Sequence, residues 1–400
     1  MTISKNYETT MENHRSAMND TIRQRFHEFA YGMFIHYGLY TLYERGEWVM
    51  SRERMSNEEY FKVIPQFKNY GFLAEEWVGI AARSGMRYAV LTTRHHDGCF
   101  IGDELVGSFC DACRKHGLGI GLYYSVGDWS DFDFRGGAKG PNWGRFVEKT
   151  HRQLKELMMD YGPVDYLFYD GCPSPQSWKA AELHRELRRL QPGLLISCRC
   201  GLEEDVASSE QHSGTHAGLW ESCYTLNDSW GYNRYDRHWK TPEKIIELLM
   251  TLRHNGGNLL LNVGPDLSGR MGKAEIGILN QVKAWLDRNG EAVYEVVPHP
   301  FDYKDQEISV AHGNTAYIQL QADYRGPERM ICGIGNRIKD ITLLSTGKKI
   351  GFVQNADKLT LTGLPFKKKD ELPRVLKLEL DGAPFGIHNP MWPEDHFRVH

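Results

Sequence analysis

Short apolar segments alternate with amphipathic helical patterns from Tyr31 to Pro265, and this alternation limits the folds that the chain can adopt. The apolar segments span residues 31–38, 88–94, 119–125, 164–171, 194–199, 219–226 and 258–265, and the helical patterns span residues 21–30, 57–82, 104–116, 143–161, 176–190, 241–253 and 273–289. Segments that are apolar on both faces are typical of a parallel sheet covered by helices. Their number and spacing predict an α/β fold of the (β/α)8-like, or TIM-barrel, type.

A doubly wound open sheet is the alternative for such a pattern. Dinucleotide-binding sheets of that type carry a glycine-rich GxGxxG turn after the first strand. Here the first strand is followed by His36-Tyr37-Gly38-Leu39-Tyr40, which lacks this turn. The barrel is therefore favoured.

The sequence changes character after Pro298. Short alternating segments occur at residues 308–311, 316–320, 341–344, 359–362 and 375–380, separated by Gly, Pro and Asp. Such spacing predicts a small β-sandwich. A chain of 400 residues is also longer than one hydrophobic core usually supports. We therefore predict a polar N-terminal arm over residues 1–20, a barrel over residues 21–298 and a β-sandwich over residues 299–400.

Charge and composition exclude several classes of partner. The net charge of −4 gives no electrostatic reason to bind nucleic acid or an anionic membrane. No apolar run approaches the roughly 18–20 residues that span a bilayer, and the first thirty residues show no apolar core of a secretory signal. The eight cysteines form no framework, so free thiols and a cytoplasmic location are expected. Small barrel enzymes often self-associate, so a homo-oligomer is one expected state, although no interface is predicted.

Polar residues recur where the predicted strands end. They are His36, His95, His96, Asp97, Tyr124, Ser125, Asp170, Arg199 and Asn262. Active sites of barrels are built at these strand ends. Taken singly, each residue has a structural explanation, such as a turn cap for Asp170 or a core histidine for His36. A set of them on one rim predicts a pocket rich in hydrogen-bonding groups.

Two chemistries need such a pocket. The first is cleavage of a sugar by two carboxylates, with His, Arg and Trp contacting ring hydroxyls. The second is a metal-dependent hydrolase in which His36, His95, His96 and Asp170 hold zinc. The adjacent residues His95 and His96 point to opposite sides of an extended strand, which disfavours their binding one ion.

Several motifs resemble the α-L-fucosidases of glycoside hydrolase family 29, in order between about residues 25 and 300. They are Phe34–Tyr40, Gly46-Glu47-Trp48, Tyr88–Gly98, Gly121–Ser125, Tyr161–Gly171, Trp220–Tyr232 and Gly256–Pro265. The resemblance implies a barrel followed by a β-sandwich. It also implies a retaining exo-glycosidase that removes terminal α-L-fucosyl residues from a small fucoside or glycan, without a metal or other cofactor.

The resemblance also implies roles for individual residues. Asp170 matches the catalytic nucleophile of the family. The residues that match the sugar-binding set, or are candidates for the same pocket, are His36, Glu47, Trp48, His95, His96, Tyr124, Arg199 and Trp220. The methyl group of fucose requires an apolar patch, which Phe34, Phe168 or Trp230 could supply.

The general acid/base is less strongly indicated, because the family carries it on a variable loop about forty residues after the nucleophile. In this chain the loop corresponds to residues 201–218, which contain Glu203, Glu204 and Glu210, and Glu221 follows it. We favour Glu210, since it follows Asp170 by 40 residues and Arg199 by 11.

This chain departs from the family pattern at three places. Tyr37 replaces a tryptophan, Phe168-Tyr169 replaces the usual pair before the nucleophile, and the segment between Gly98 and Asp111 is shortened. These departures leave two alternatives open beside a fucosidase. One is a hydrolase of a related sugar such as an α-L-galactoside, and the other is a degenerate barrel that binds glycans without cleaving them.

Overall fold

The computed structural model describes residues 20–67, 71–301, 307–321, 324, 326–368 and 371–387. The predicted N-terminal arm lies outside the described residues except for Asp20, with which the first helix begins. The described chain forms two compact units. The first comprises the described residues up to His212 together with 216–240 and 259–277, and the second comprises 213–215, 241–258 and the described residues from Ile278 onward. The predicted boundary after residue 298 stays a prediction.

Eight parallel strands form the first sheet. They are β1 (Tyr31–Ile35), β2 (Tyr88–Arg94), β3 (Gly119–Ser125), β4 (Tyr166–Asp170), β5 (Leu195–Ile196), β6 (Val206–Glu210), β7 (Leu219–Thr225) and β8 (Asn258–Val263). Their order is β5-β4-β3-β2-β1-β8-β7-β6. A parallel bridge between Ser197 and Val206 joins the two ends of this order. The sheet therefore closes into the predicted barrel.

Helices follow most of the strands along the chain. They are α1 (Asp20–Phe29), α2 (Val49–Arg52), α3 (Asn57–Phe61), α4 (Gly71–Arg83), α5 (Asp103–His116), α6 (Phe132–Arg135), α7 (Trp143–Met159), α8 (Ala180–Leu190), α9 (Pro242–His254) and α10 (Lys273–Asn289). Helix α9 begins with a proline after Thr241, whose hydroxyl accepts a hydrogen bond from the Lys244 amide. This is a standard helix start, because proline needs no amide partner in the first turn.

Most of the barrel strands are buried along their whole length because both of their faces are covered, whereas β6 is largely half-buried and ends at the exposed Glu210. Every residue of β1, β2 and β3 is buried. Aromatic rings fill the barrel interior, with Phe34 contacting Phe168 at 5.1 Å and Tyr123 at 5.8 Å between ring centroids. In this register Tyr123 pairs with Phe168, and Ser125 pairs with Asp170. These pairs fix which side chains reach the carboxyl end of the barrel.

Two sequence expectations about the barrel were wrong. The predicted strand over residues 194–199 is only Leu195–Ile196, and a short 3₁₀ helix, Cys198–Cys200, follows it. Residues 201–218 were expected to be a loop, yet they contain β6. Strand β6 carries Ser and Glu at its centre and end, so it lacks the apolar pattern by which the other strands were recognised.

Antiparallel strands form two further sheets after the barrel strands. The larger contains β9 (Val297–Pro298), β10 (Ile308–His312), β11 (Thr315–Gln319), β13 (Ile338–Leu343), β14 (Lys348–Lys349) and β17 (Val375–Leu380), and the smaller contains β12 (Arg329–Ile331), β15 (Gly351–Asn355) and β16 (Lys358–Thr362). One apolar core takes side chains from both sheets, including Ile318 and Leu378 of the larger and Leu359 of the smaller. The predicted β-sandwich is confirmed. Within the described residues, no helix combines the length and the apolar character needed to cross a membrane.

Candidate active site

A cavity of about 400 Å³ opens at the carboxyl ends of the barrel strands. Its lining residues are Phe34, His36, Trp48, His95, His96, Tyr123, Gly127, Trp129, Phe134, Phe168, Asp170, Gly171, Arg199, Glu210, Cys223 and Trp230. The size lies within the range of pockets that enclose small ligands. Seven of the predicted site residues are therefore brought together, namely His36, Trp48, His95, His96, Asp170, Arg199 and Glu210.

Asp170 is the most densely hydrogen-bonded carboxylate of the cavity. Its Oδ1 accepts hydrogen bonds from Arg199 Nη2 at 2.9 Å and from the Gly171 amide at 2.8 Å. Its Oδ2 accepts one from the Tyr123 hydroxyl at 3.0 Å and lies 3.4 Å from His96 Nε2. Both oxygens are thus held by donors, which fixes the orientation of the carboxylate.

The same contacts keep Asp170 ionised. Burial by itself would raise the pKa of this carboxyl group. The hydrogen bond with His96 and the charge of Arg199 outweigh burial and hold the pKa of Asp170 well below its ordinary value. Asp170 therefore carries a negative charge at any pH near neutrality.

Arg199 connects Asp170 to the second carboxylate of the cavity. The same nitrogen, Nη2, lies 2.9 Å from Asp170 Oδ1 and 3.0 Å from Glu210 Oε2. The two carboxylate oxygens consequently lie no more than about 6 Å apart, the length of the two contacts together, whereas inverting glycosidases separate their carboxyl groups by about 6.5–9.5 Å. This separation fits the retaining geometry of about 5–5.5 Å.

Two histidines of the cavity are uncharged. Burial lowers the pKa of His36 to about 3 and the pKa of His95 well below its ordinary value. His36 Nδ1 lies 2.6 Å from Asn262 Oδ1, and the Asn262 amide nitrogen donates to the Trp230 carbonyl. Because Asn262 presents an oxygen to the ring, Nδ1 of His36 carries the proton and Nε2 is left as an acceptor.

One wall of the cavity is apolar. Phe34 contacts Phe168 and Trp230, with ring centroids 5.1 and 6.0 Å apart. All three are residues that the sequence suggested for an apolar patch. Arg199 lies over the Phe168 ring at 5.3 Å, so the wall reaches the guanidinium that contacts Asp170 and Glu210.

Three predicted sugar-binding residues lie outside the cavity lining. The Tyr124 hydroxyl accepts from Arg94 and donates to Gln153 of α7, so its side chain faces away from the barrel interior. Trp220 contacts His216 at 5.4 Å, on the opposite face of β7 from the interior residue Glu221. Glu47 is 5% exposed and accepts a hydrogen bond from the Gly231 amide at 2.7 Å.

Six lining residues were not predicted: Tyr123, Gly127, Trp129, Phe134, Gly171 and Cys223. Tyr123 had a usable signal. Side chains that are two apart on a strand share a face, so a strand that ends by pointing Ser125 inward must also point Tyr123 inward. Trp129 and Phe134 are carried by the polar segment after β3, where no periodicity indicates their direction.

The other candidates for the acid/base are held elsewhere. Glu204 is buried against His184 Nδ1 and Arg188 Nη2, at 2.6 and 2.5 Å. Glu221 lies inside the barrel, where the hydroxyls of Tyr88 and Tyr166 each donate to it at 2.8 Å. Neither carboxylate lines the cavity, and neither does the exposed Glu203.

The barrel is closed, and two neighbouring carboxylates at its strand ends line a sugar-sized cavity. These features are those of the retaining glycoside hydrolases. The sequence matches the family model of α-L-fucosidase over residues 1–291. It is 28% identical to human tissue α-L-fucosidase over 399 residues, covering 85% of this chain and 84% of that protein. It is 26% identical to an α-L-fucosidase of Dictyostelium discoideum over 385 residues, covering 80% and 82%.

Solved structures give the same result. Isoenzyme 1 of α-L-fucosidase from Paenibacillus thiaminolyticus superposes with a TM-score of 0.83 at 30% identity, covering 90% of this chain and 99% of that chain. A family 29 α-L-fucosidase from Bacteroides thetaiotaomicron, trapped as a covalent intermediate with 2-fluoro-fucosyl fluoride, superposes with a TM-score of 0.82 at 25% identity, covering 91% and 97%. The chain belongs to the α-L-fucosidase family, glycoside hydrolase family 29.

Proposed function

We propose that this protein is a retaining α-L-fucosidase in which Asp170 is the nucleophile and Glu210 is the general acid/base. The observation that carries the proposal is the single Arg199 nitrogen that contacts both carboxylates. It supports two carboxyl groups at the short separation of retaining enzymes rather than at the wider separation of the water-mediated inverting mechanism.

The reaction proceeds in two displacements. Asp170 attacks the anomeric carbon of the fucosyl group and forms an ester bond, while the bond to the leaving oxygen breaks and Glu210 gives that oxygen its proton. Glu210, now a carboxylate, then removes a proton from water. As this proton leaves, the water oxygen bonds to the anomeric carbon, the ester bond breaks, and Asp170 leaves as a carboxylate. Two inversions give fucose with the original anomeric configuration.

The two neutral histidines suit recognition of sugar hydroxyls. The Nε2 atom of His36 can accept a hydrogen bond from a hydroxyl without the desolvation cost of a charged ring. His95 is equally neutral, because burial and its proximity to His96 and His36 disfavour the charged form. Neither ring can therefore take over the acid role that is proposed for Glu210.

The apolar wall favours fucose over galactose as the sugar. The 6-methyl group of fucose fits against Phe34, Phe168 and Trp230, whereas α-L-galactose would bring a hydroxyl to the same place. A hydrophobic surface rejects an added hydroxyl only modestly, by about 100-fold. We therefore expect measurable but weak hydrolysis of an aryl α-L-galactoside.

Azide rescue tests the two carboxylate assignments separately. Wild type, Asp170→Ala and Glu210→Ala are assayed on an aryl α-L-fucoside, with Glu203→Ala as a matched loss of an exposed carboxylate from the same region. Both site variants lose turnover, and Glu203→Ala keeps it. With azide, Glu210→Ala forms α-L-fucosyl azide, because azide attacks the intermediate, whereas Asp170→Ala forms the β anomer by direct displacement.

The outcomes separate the alternatives. Turnover by Asp170→Ala would exclude it as the nucleophile, and a β-azide from Glu210→Ala would exclude Glu210 as the acid/base. A wild-type protein that binds fucose without hydrolysing any fucoside or galactoside would be the degenerate glycan-binding barrel.

We also propose a cytoplasmic location, which all eight cysteines support by carrying free thiols, the state expected in a reducing compartment. Cell fractionation tests it, and recovery with a secreted marker would contradict it. A homo-oligomer stays a prediction that light scattering on the purified protein decides.

A further inference from the structure

The buried hydroxyl of Ser125 has no part in the reaction described above. Ser125 is the last residue of β3 and is fully buried. Its Oγ lies 2.7 Å from His96 Nδ1 and 2.7 Å from the Gly127 carbonyl oxygen. It thus connects a histidine beside the nucleophile to the backbone that follows β3.

The Ser125 hydroxyl can donate only one hydrogen bond, and this limit determines whether Nδ1 of His96 carries a proton. A serine hydroxyl has one proton to donate, and a carbonyl oxygen can only accept. The Ser125 proton is therefore donated to Gly127, and Oγ acts as an acceptor towards His96. Nδ1 of His96 must then carry a proton.

The other nitrogen of His96 faces the nucleophile. Nε2 lies 3.4 Å from Asp170 Oδ2, and the ionised Asp170 carboxylate can only accept hydrogen bonds. An attractive contact requires a proton on Nε2 as well. With both nitrogens protonated, the His96 ring is an imidazolium that forms an ion pair with Asp170.

The turn after Asp170 is built against this pair. A Cβ atom on Gly171 would lie 2.9 Å from His96 Nδ1 and 3.1 Å from Ser125 Oγ. Gly171 also has a φ of +57°, a region that favours glycine. The residue next to the nucleophile thus packs directly on the hydrogen bond between Ser125 and His96.

We propose that Ser125 is a positioning residue, which holds His96 as an imidazolium against Asp170 and thereby keeps the nucleophile ionised and oriented. This proposal rests on the proposed function, since it concerns the same nucleophile. Both ring nitrogens of His96 are engaged by the protein before substrate binds. The role of His96 is therefore first to hold Asp170 rather than to hold a sugar hydroxyl.

Several charged or titratable groups act on the His96 ring. Asp170 of β4 stabilises the positive charge, and Glu47, from the segment after β1, adds a weaker attraction. His36 at the end of β1 and the adjacent His95 are neutral for the reasons given above.

Nitrogen-15 NMR of the histidine rings tests the proposal without any substrate. In wild-type protein near pH 7, both nitrogens of His96, assigned with His96→Gln, show the chemical shifts of an imidazolium. In Ser125→Ala at the same pH one nitrogen moves to the shift of an unprotonated atom, and Ser125→Thr, which keeps the hydroxyl, restores the wild-type spectrum. A neutral His96 in the wild type, or a spectrum unchanged by Ser125→Ala, would overturn the proposal.

Kinetics give a second measurement. Ser125→Ala lowers kcat/KM for an aryl α-L-fucoside by about 10- to 100-fold, the effect of losing one hydrogen bond to a charged group. Ser222→Ala serves as the control. It removes another fully buried hydroxyl, which donates to the His212 carbonyl, and it leaves kcat/KM unchanged. A wild-type protein without fucosidase activity would refute the proposed function, while the NMR result would still decide the state of His96.

Discussion

At the scale of single residues, Arg199 connects the two carboxylates on which the proposed chemistry depends. Its positive charge helps to hold the pKa of Asp170 low, and its Nη2 atom contacts the carboxylates of both Asp170 and Glu210. Charge and geometry are separate contributions, because lysine preserves the first and not the second. Substitutions at this position can therefore distinguish them.

We expect Arg199→Gln to move the acidic limb of the kcat/KM profile to higher pH. Loss of the cation raises the pKa of Asp170, which must be ionised to attack, so activity begins to fall at a higher pH as the medium is acidified. Arg199→Lys keeps the charge and hence most of the wild-type limb, while losing about 10- to 100-fold in rate because a single ammonium cannot hold both carboxylates in the same way. Rate measurements from pH 3 to 8 on the three proteins check this, and identical limbs in wild type and Arg199→Gln would contradict it.

At the scale of elements, the alternation of strands and helices was predicted from the sequence, whereas the side chains of β3 that face the cavity were predicted wrongly. The predicted helix over residues 104–116 matches α5, and the predicted strand over residues 258–265 contains β8. Tyr124 was predicted to line the pocket, whereas Tyr123 faces the cavity. Both faces of a buried parallel strand are aromatic or apolar, so an error of one residue moves the prediction to the opposite face of the strand. Glu210 was chosen by its spacing from Asp170, and it lines the cavity, but the polar strand β6 that carries it has no hydrophobic pattern from which a strand could be predicted.

The turn that ends β4 is the element whose shape matters most to the nucleophile. We expect Gly171→Ala to reduce kcat/KM by at least about tenfold, since the added Cβ meets His96 and Ser125 as well as an unfavourable φ. Gly137→Ala is the matched control: Gly137 also has a positive φ, of +72°, but a Cβ there meets nothing within 4 Å. Similar activity losses in both variants would show that strain in the backbone, rather than crowding of His96, is responsible.

At the scale of the whole molecule, a buried carboxyl group inside the barrel links stability to pH. Burial raises the pKa of Glu221 to about 7, although the Tyr88 and Tyr166 hydroxyls oppose the rise. An unfolded glutamate titrates near 4.3. The folded state therefore binds the proton of the Glu221 carboxyl group more tightly than the unfolded state does. The protonated carboxyl group contributes its full stability below the pKa of the unfolded state, and this contribution is lost as the pH rises through about 7.

Glu221→Gln removes this titration while keeping the shape of the side chain. Between pH 5 and pH 8 we expect the free energy of unfolding of wild type to fall relative to that of the variant, by on the order of 1 kcal/mol or more. Urea denaturation at both pH values measures the difference, with Glu203→Gln as the exposed control. An equal pH dependence in Glu221→Gln and wild type would mean that Glu221 does not titrate in this range.

The guanidinium shared by positions 170 and 210 also has an evolutionary consequence. Because one nitrogen serves both carboxylates, a change at either position alters the electrostatic environment of the other, and the effects of two such changes do not add. The three positions 170, 199 and 210 are therefore epistatic. A lineage that moves its acid/base to another carboxylate must at the same time find a new counterion for the one that stays.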